Sequence, residues 1–260
     1  MVDALSLDRI VRHLDEVLRI RDLPDYGGAL NGLQLGGEHA VSRVAVGVDA
    51  SHDVITGAIA AGAQLLIVHH GLFWNGAQRL VGPARARLAP AFAAGLAIYG
   101  AHLPLDVHAD LGNNPLLARA LGLEPSEGFG RFQTVTVGVA GVADVATSDL
   151  VARVRAYADR EGGQVVVAGP VDGKRTRRWA LITGAGASSD SLREAAALGI
   201  DTFITGEGPH HTAIDGPELG ITVIYAGHYA TETIGVKALG AHLERTFGVP
   251  WSFIAAPSGL

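Results

Sequence analysis

The sequence contains no cysteine, and it carries no excess of positive charge. The first absence excludes disulfide bonds, thiolate zinc sites and cysteine nucleophiles together. The formal net charge is −6 and the pI is about 6.0, so no global positive field attracts nucleic acid, and we expect no nucleic-acid partner. The basic run 174–178 is a local exception, interpreted as a solvated turn before a strand, with a contact to a partner or an anion as the alternative.

Long apolar runs and a phosphate-binding loop are also missing. No run approaches the length that spans a membrane, and Asp8, Asp15 and Glu16 lie where a signal peptide would be apolar, so we expect a cytoplasmic protein without a membrane partner. No Gly-x-x-x-x-Gly-Lys-[Ser/Thr] motif is present, so metals or scattered basic residues would have to hold any triphosphate. With 260 residues, 48% of them hydrophobic and 18% charged, the chain can form one large α/β domain or two small ones.

Two adjacent histidines follow a short apolar segment. Residues 65–68 are too few for a helix and lie between Gly62 and Gly71, which predicts a buried strand with His69 and His70 at its carboxyl end. Open α/β sheets bind ligands beyond such strand ends, and imidazole is a common metal ligand. Neighbouring residues of a strand point to opposite faces, so both rings reach one centre only if the strand breaks, as Gly71 allows. A pair of surface loop histidines is the alternative.

Helical spacing, alternation and caps predict the other elements. Six helices are predicted. Three begin at a capping residue: 7–18 after Ser6, the helix that Ser51 caps and that ends at about 61, and the helix that Asn113 caps and that ends at 121. The others are 85–94, 148–160 and 231–247. The predicted strands outside the repeat described next are 132–139, 164–167 and 251–254. Residues 24–37 are predicted to be irregular; Asn31 and Gln34 within them favour either a loop over the site or turn chemistry alone.

The order of the elements repeats in the second half of the chain. Segments 43–53, 62–71 and 95–102 correspond to 178–190, 199–208 and 220–228, and matching glycines of the middle pair lie 199 − 62 = 137 positions apart. Chance similarity between generic βαβ units is the alternative. A true repeat predicts two like-folded α/β lobes whose strand ends converge on a shared cleft. We place the first lobe at 1–125, the second at 126–228, and expect 229–260 to pack back on the first.

Three strand ends carry side chains that can bind metal. They are His69 with His70, His102 with Asp106, and His228 with Glu232, which lies one helical turn further on. Two adjacent histidines, a third histidine and two carboxylates make five protein ligands. Five exceed the three of a catalytic zinc and fit a two-metal site, with metals roughly 3.5–4 Å apart and a bound water of pKa near ~7.

Each of these assignments has a purely structural alternative. Asp106 could cap a turn, and Glu232 could favour the positive end of a helix. No spacing argument supports His108, His210 or His211, which by themselves are interpreted as surface residues.

Several separated motifs resemble the NIF-three-like family, whose members are also called GTP cyclohydrolase 1 type 2 homologues. The motifs, in order between Asn31 and about Leu243, are Asn31-Gly32-Leu33-Gln34, Val68-His69-His70-Gly71-Leu72-Phe73-Trp74, Ala101-His102-Leu103-Pro104-Leu105-Asp106, Gly112-Asn113-Asn114 and Ala226-Gly227-His228-Tyr229-Ala230-Thr231-Glu232. The resemblance is to the short bacterial branch without an inserted middle domain. It implies two similar three-layer α/β/α lobes with a metal cleft between them, assembled into a toroidal homohexamer.

The resemblance also implies the members of the site. The residues at the positions of the family's metal ligands are His69, His70, Asp106, His228 and Glu232. The corresponding cofactor is two divalent metal ions per protomer, for which zinc, iron, manganese and nickel all suit these ligands. His102 would be a neighbouring polar group, while Glu207 and His211 match an acidic-x-x-x-His stretch and are our candidates for proton transfer. The chain departs from the wider family at Gly71 and at Leu103-Pro104, which leaves the metal ligands intact and could change how substrate is held.

The family name implies hydrolytic opening of the guanine ring of GTP with release of formate. We therefore expect a metal-dependent hydrolase in which a metal-bridging hydroxide attacks a small, nucleotide-like substrate. The alternative is a non-catalytic, metal-binding oligomeric scaffold or regulatory interaction protein, in which the metals organise the assembly without turnover.

Overall fold

The computed structural model describes residues 5–36, 40–74, 76 and 79–260. Its helices and strands, in chain order, are β1 (Leu5–Ser6), α1 (Leu7–Val17), β2 (Gly32–Leu35), β3 (Ala40–Val41), β4 (Val44–Asp49), α2 (His52–Ala60), β5 (Leu65–His70), α3 (Gly82–Ala94), β6 (Ala97–Gly100), α4 (Leu103–Asp106), α5 (Asn113–Ala120), β7 (Glu127–Phe132), β8 (Val135–Ala146), α6 (Thr147–Glu161), β9 (Val166–Ala168), β10 (Arg175–Ile182), α7 (Ser189–Ala197), β11 (Thr202–Thr205), α8 (Thr212–Glu218), β12 (Thr222–Tyr225), α9 (His228–Phe247) and β13 (Trp251–Phe253). None of the described helices combines the length and the apolar character that crossing a membrane requires.

The chain divides into two compact α/β units. The first comprises the described residues of Met1–Leu105 and Gly235–Ala256, and the second comprises Asp106–Ile234 with Pro257–Leu260. Helix α5 packs on β8 and β10 and lies in the second unit.

The first unit is built on a five-stranded sheet of order β13-β4-β5-β6-β2. Strands β13, β4, β5 and β6 are parallel, and β2 is antiparallel at the edge. All six residues of β5 are buried, and apolar side chains of α2 and α3 cover the face of the strand that carries Leu66 and Val68. The carboxyl ends of β4, β5 and β6 therefore emerge from a packed core at one edge.

The second unit contains a six-stranded sheet of order β7-β8-β10-β11-β12-β9. Strands β10, β11 and β12 are parallel, and β9 is antiparallel beside β12, as β2 is beside β6. This shared order of three parallel strands and an antiparallel edge strand confirms the α/β fold and its internal repeat.

Several local predictions were wrong. Strand β2 lies inside the segment 24–37 that was predicted to be irregular (Gly37 is outside the described residues), and the basic run 174–178 mostly belongs to β10 rather than to a turn. Asn113 does not cap α5, whose N-cap is Gly112. The reason is that Asn113 is fully buried and donates its side-chain amide to Asp106.

Candidate metal centre

The two histidines at the end of β5 lie side by side. The ring centroids of His69 and His70 are 4.8 Å apart, with an angle of 53° between the planes. Nδ1 of His69 lies 2.8 Å from the carbonyl oxygen of Ala101, and Nδ1 of His70 lies 2.9 Å from Oδ1 of Asp49. Asp49 ends the neighbouring strand β4 and is paired in register with His70, so the sheet itself positions this carboxylate.

His102 joins these two rings from the end of β6. Its ring centroid lies 4.9 Å from that of His69 and 5.7 Å from that of His70. Potential ligand atoms of the three histidines all lie within 4.8 Å of one another, and all three residues are buried. The carboxylate of Asp25 holds His102 through Nδ1 at 2.8 Å and also accepts the backbone N–H of Leu103 at 2.9 Å. Burial raises the pKa of Asp25, but the hydrogen bond and charge of His102 outweigh it and hold that pKa below its usual value.

Asn31, just before β2, and Gln34, within β2, fix the same strand ends. Oδ1 of Asn31 accepts the backbone N–H of His102 at 2.7 Å, and Oε1 of Gln34 accepts that of Leu72 at 2.6 Å. The Gln34 amide lies against Gly71, where any Cβ would overlap it, and against Gly100, where a Cβ would lie 2.6 Å from Nε2. Glycine at position 71 is therefore what lets Gln34 hold the turn that follows the two histidines.

In the second unit, Asp106 is buried among donors. Asn113 donates its side-chain amide to Oδ1 of Asp106 at 2.8 Å, and the hydroxyl of Thr183 lies 3.3 Å from the same oxygen. The amide of Asn114 donates to the backbone oxygen of Asp106 at 3.1 Å. These contacts orient the carboxylate from the helix α5 and from the end of β10.

His228 and Glu232 face each other on the first turn of α9. Nε2 of His228 lies 3.2 Å from Oε2 of Glu232, while its Nδ1 lies 2.8 Å from Oε1 of Glu207, which follows β11. Burial lowers the pKa of His228, but the hydrogen bonds and charges of Glu232 and Glu207 raise it to about 9. A divalent cation that replaced the proton on Nε2 of His228 would meet this histidine and the buried carboxylate of Glu232 already in place.

Gly184, just after β10, makes room for this carboxylate. Its φ is +61°, and a Cβ there would overlap Oε1 of Glu232 and lie 3.2 Å from Nε2 of His228. Its backbone N–H donates to the hydroxyl of Thr231 at 3.0 Å. The end of β10 thus contacts Asp106 through Thr183 and shapes the space around Glu232 through Gly184.

The four candidate histidines share one feature that bears on metal binding. Each points Nδ1 at an acceptor: a backbone carbonyl for His69 and a carboxylate for His70, His102 and His228. A carbonyl or ionised carboxylate can only accept, so Nδ1 carries the proton and the lone pair of a neutral ring lies on Nε2. Histidines that bind metals nearly always show this arrangement. The donor set therefore fits a divalent metal ion.

The two residues predicted to transfer protons have different surroundings. Glu207 holds Nδ1 of His228, as described above. His211 is exposed at the N-cap of α8, and its Nε2 lies 3.1 Å from the hydroxyl of Ser189. Proton transfer by either residue stays a prediction.

Sequence comparison places this geometry among known proteins. Residues 5–258 match the model of the Duf34/NIF3 family, described as NGG1p interacting factor 3. A protein of Deinococcus radiodurans named GTP cyclohydrolase 1 type 2 homolog is 41% identical over 258 residues, which cover 98% of this chain and 95% of the relative.

Two solved structures share the fold over the same length. The protein ybgI, described as of unknown function, has a TM-score of 0.88 and 32% identity, and TTHA1606 from Thermus thermophilus has a TM-score of 0.79 and 38% identity. In both cases the match covers 98% of this chain and 100% of the other.

Proposed function

Because the chain belongs to the Duf34/NIF3 family, we propose that it binds divalent metal ions and acts as a metal-dependent hydrolase on a nucleotide-like substrate. The observation that carries this proposal is the common orientation of the candidate histidines, each with Nδ1 bound to a backbone carbonyl or a carboxylate. A histidine with a purely structural role does not require an acceptor at Nδ1, so structural roles alone do not explain why all of these histidines have one. Oriented Nε2 atoms and buried carboxylates are what a hydrolytic metal site requires.

The proposed ligands are those that the family resemblance implied: His69, His70, Asp106, His228 and Glu232. We propose that they hold two divalent ions, with zinc, iron, manganese or nickel compatible with these atoms. When bound, such ions lower the pKa of water towards ~7 and supply hydroxide for hydrolysis.

The chain's own residues position these ligands and move protons. Asp49 and Glu207 fix the rings of His70 and His228, and Asn113 fixes the carboxylate of Asp106. We keep Glu207 and His211 as the candidates for proton transfer to a leaving group. The name of the Deinococcus radiodurans relative, GTP cyclohydrolase 1 type 2 homolog, makes GTP the first substrate to test. A cytoplasmic location and a homohexameric assembly remain proposals of the same kind.

The decisive experiment measures metal content per protomer in gently purified protein. We expect about two metal ions per protomer and a sharp fall in a His228→Ala, Glu232→Ala double variant. The matched control is His52→Ala, since His52 is an exposed histidine that also contacts a carboxylate, that of Asp53. GTP and related nucleotides are then screened for release of formate or phosphate.

The outcomes separate the two candidate functions. Stoichiometric metal with turnover that the double variant abolishes supports the hydrolase. Stoichiometric metal without turnover of any nucleotide supports the non-catalytic scaffold. Absence of stoichiometric metal even after reconstitution overturns both.

A further inference from the structure

Two exposed aromatic side chains adjoin the histidines of the first unit. The side chain of Trp74 is 40% exposed and that of Tyr26 is 54% exposed. The Trp74 ring centroid lies 4.5 Å from that of His102 and 5.6 Å from that of His70, while the Tyr26 centroid lies 5.9 Å from that of His102. Trp74 therefore contacts one proposed metal ligand, His70, and both rings contact His102 beside it.

The two aromatic rings form a corner. Their centroids are 6.0 Å apart and their planes meet at 81°. A flat ring stacked on one of them would present its edge to the face of the other, and both offset stacking and edge-to-face contacts are favourable at such distances. An aliphatic chain would use only the apolar area of the corner and would gain nothing from the perpendicular arrangement.

Close backbone contact joins the two segments that form the corner. A Cβ at Gly28 would lie 2.6 Å from the backbone oxygen of Trp74, so the two segments that carry the rings touch backbone to backbone. Leu30 adopts a φ of +40°, an uncommon conformation for a branched side chain that the surrounding hydrogen bonds must maintain. Asp25, next to Tyr26, is itself bound to His102 and Leu103. Side chains that are already positioned before binding lose less conformational entropy when a ligand binds.

We propose that Tyr26 and Trp74 recognise the substrate, and that the substrate carries a planar heteroaromatic ring that stacks in the corner between them. The inference rests on the proposed function, because the ring is placed beside the histidines that would hold metal. It assigns recognition of the ring of a nucleotide-like substrate to two residues that are not metal ligands.

The test uses the protein as purified with its metals and three ring-bearing probes: guanosine 5′-monophosphate, nicotinamide mononucleotide and flavin mononucleotide. Ribose 5-phosphate serves as the matched probe without an aromatic ring. Dissociation constants are measured by calorimetry for the original protein, for Trp74→Ala, Trp74→Phe and Tyr26→Ala, and for the control Phe92→Ala. Phe92 is a 61% exposed aromatic residue on α3. Metal content is measured for every variant.

We expect at least one ring-bearing probe to bind, and Trp74→Ala to weaken its binding roughly ten- to hundredfold, as loss of a base–aromatic stack does. Trp74→Phe should retain most of the affinity, Tyr26→Ala should lose part of it, and Phe92→Ala should lose none. Binding of ribose 5-phosphate should be the same in all proteins.

Three results would overturn the inference. One is normal metal content without binding of any ring-bearing probe, which leaves the metal site standing. Another is equal loss for ribose 5-phosphate and the ring-bearing probes. The third is a change of assembly size in Trp74→Ala, measured by light scattering, with ligand affinity intact, which would make the corner a subunit contact. Absence of metal in the original protein, by contrast, contradicts the proposed function itself.

Discussion

Replacing Gly184 by alanine should damage the proposed metal site by steric overlap, although none of the proposed ligand residues is changed. The added Cβ would overlap Oε1 of Glu232, and real Cβ atoms essentially never lie within 3.0 Å of such an atom. Glu232 is only 3% exposed and cannot swing into solvent, so the carboxylate or the turn must shift by on the order of 1 Å. Metal–ligand distances tolerate only about ±0.2 Å. We therefore expect metal affinity to fall at least about tenfold, the lower bound for losing a supporting contact.

A matched control separates this steric effect from backbone strain. Gly199 has a φ of +67°, close to the +61° of Gly184, but a Cβ there would meet nothing within 4 Å. Alanine at either position should cost about 1–2 kcal/mol of unfolding free energy for the left-handed conformation. The overlap with Glu232 should add to that cost only at Gly184.

The assay is a competition titration with a metallochromic chelator, combined with urea unfolding of the chelated proteins. Gly184→Ala should lose both metal affinity and more stability than Gly199→Ala, which should bind metal like the original protein. Equal metal affinity in the two variants would refute the argument that Gly184 makes room for a ligand.

Three further predictions concern the partners of the candidate ligands. Asp49→Ala should lower metal affinity roughly ten- to hundredfold because His70 loses its Nδ1 acceptor, whereas Asp53→Ala, at an 89% exposed carboxylate, should not; equal effects would contradict the assigned role. The pKa of Asp25 is lowered from 3.8, so its stabilising effect is present above that pH and is lost as the pH falls through the folded pKa. Asp25→Asn should therefore flatten the acid side of a stability–pH profile measured by urea unfolding, and an unchanged slope would count against the hydrogen bond between Asp25 and His102. Asn113→Ala should lower the unfolding free energy measured in urea by about 1–3 kcal/mol, since buried Asp106 loses a donor; an effect no larger than that of Ser258→Ala, a control at an exposed position, would be inconsistent with this contact.

The ligand candidates at strand ends could be predicted because the argument is local. A short apolar run between glycines specifies a buried strand, and the residue at its carboxyl end then has a known place in a parallel sheet. His69 and His70 were located this way, and the repeat predicted two like-folded α/β lobes, in agreement with the strand order that the two sheets share. The break expected at the two histidines is not seen: β5 continues through both and ends at His70, and their ring centroids are nevertheless 4.8 Å apart.

The supporting residues could not be predicted in the same way, because each depends on a tertiary contact. Asp25 lies 77 positions before His102, in a segment without periodicity, and only the folded path of the chain brings the two together. Asn113 looked like a helix cap, since buried Asp106 was not visible as a competing partner for its amide. Asp49 was the exception: pairing the ends of β4 and β5 in register would have placed its carboxylate beside His70.

The departure from the family pattern at Gly71 gains a physical meaning from Gln34. Oε1 of Gln34 accepts the N–H of Leu72, and Nε2 donates to the backbone oxygens of Ala29 and Leu30 at 2.9 and 3.0 Å. Any side chain at position 71, a proline ring included, would occupy the space of that amide. A side chain at residue 71 would therefore displace the Gln34 amide, which links the turn after the histidines to the segment that carries Tyr26. We therefore expect a change of Gly71 to shift both that turn and the segment that carries Tyr26, although all proposed metal ligands stay in the sequence.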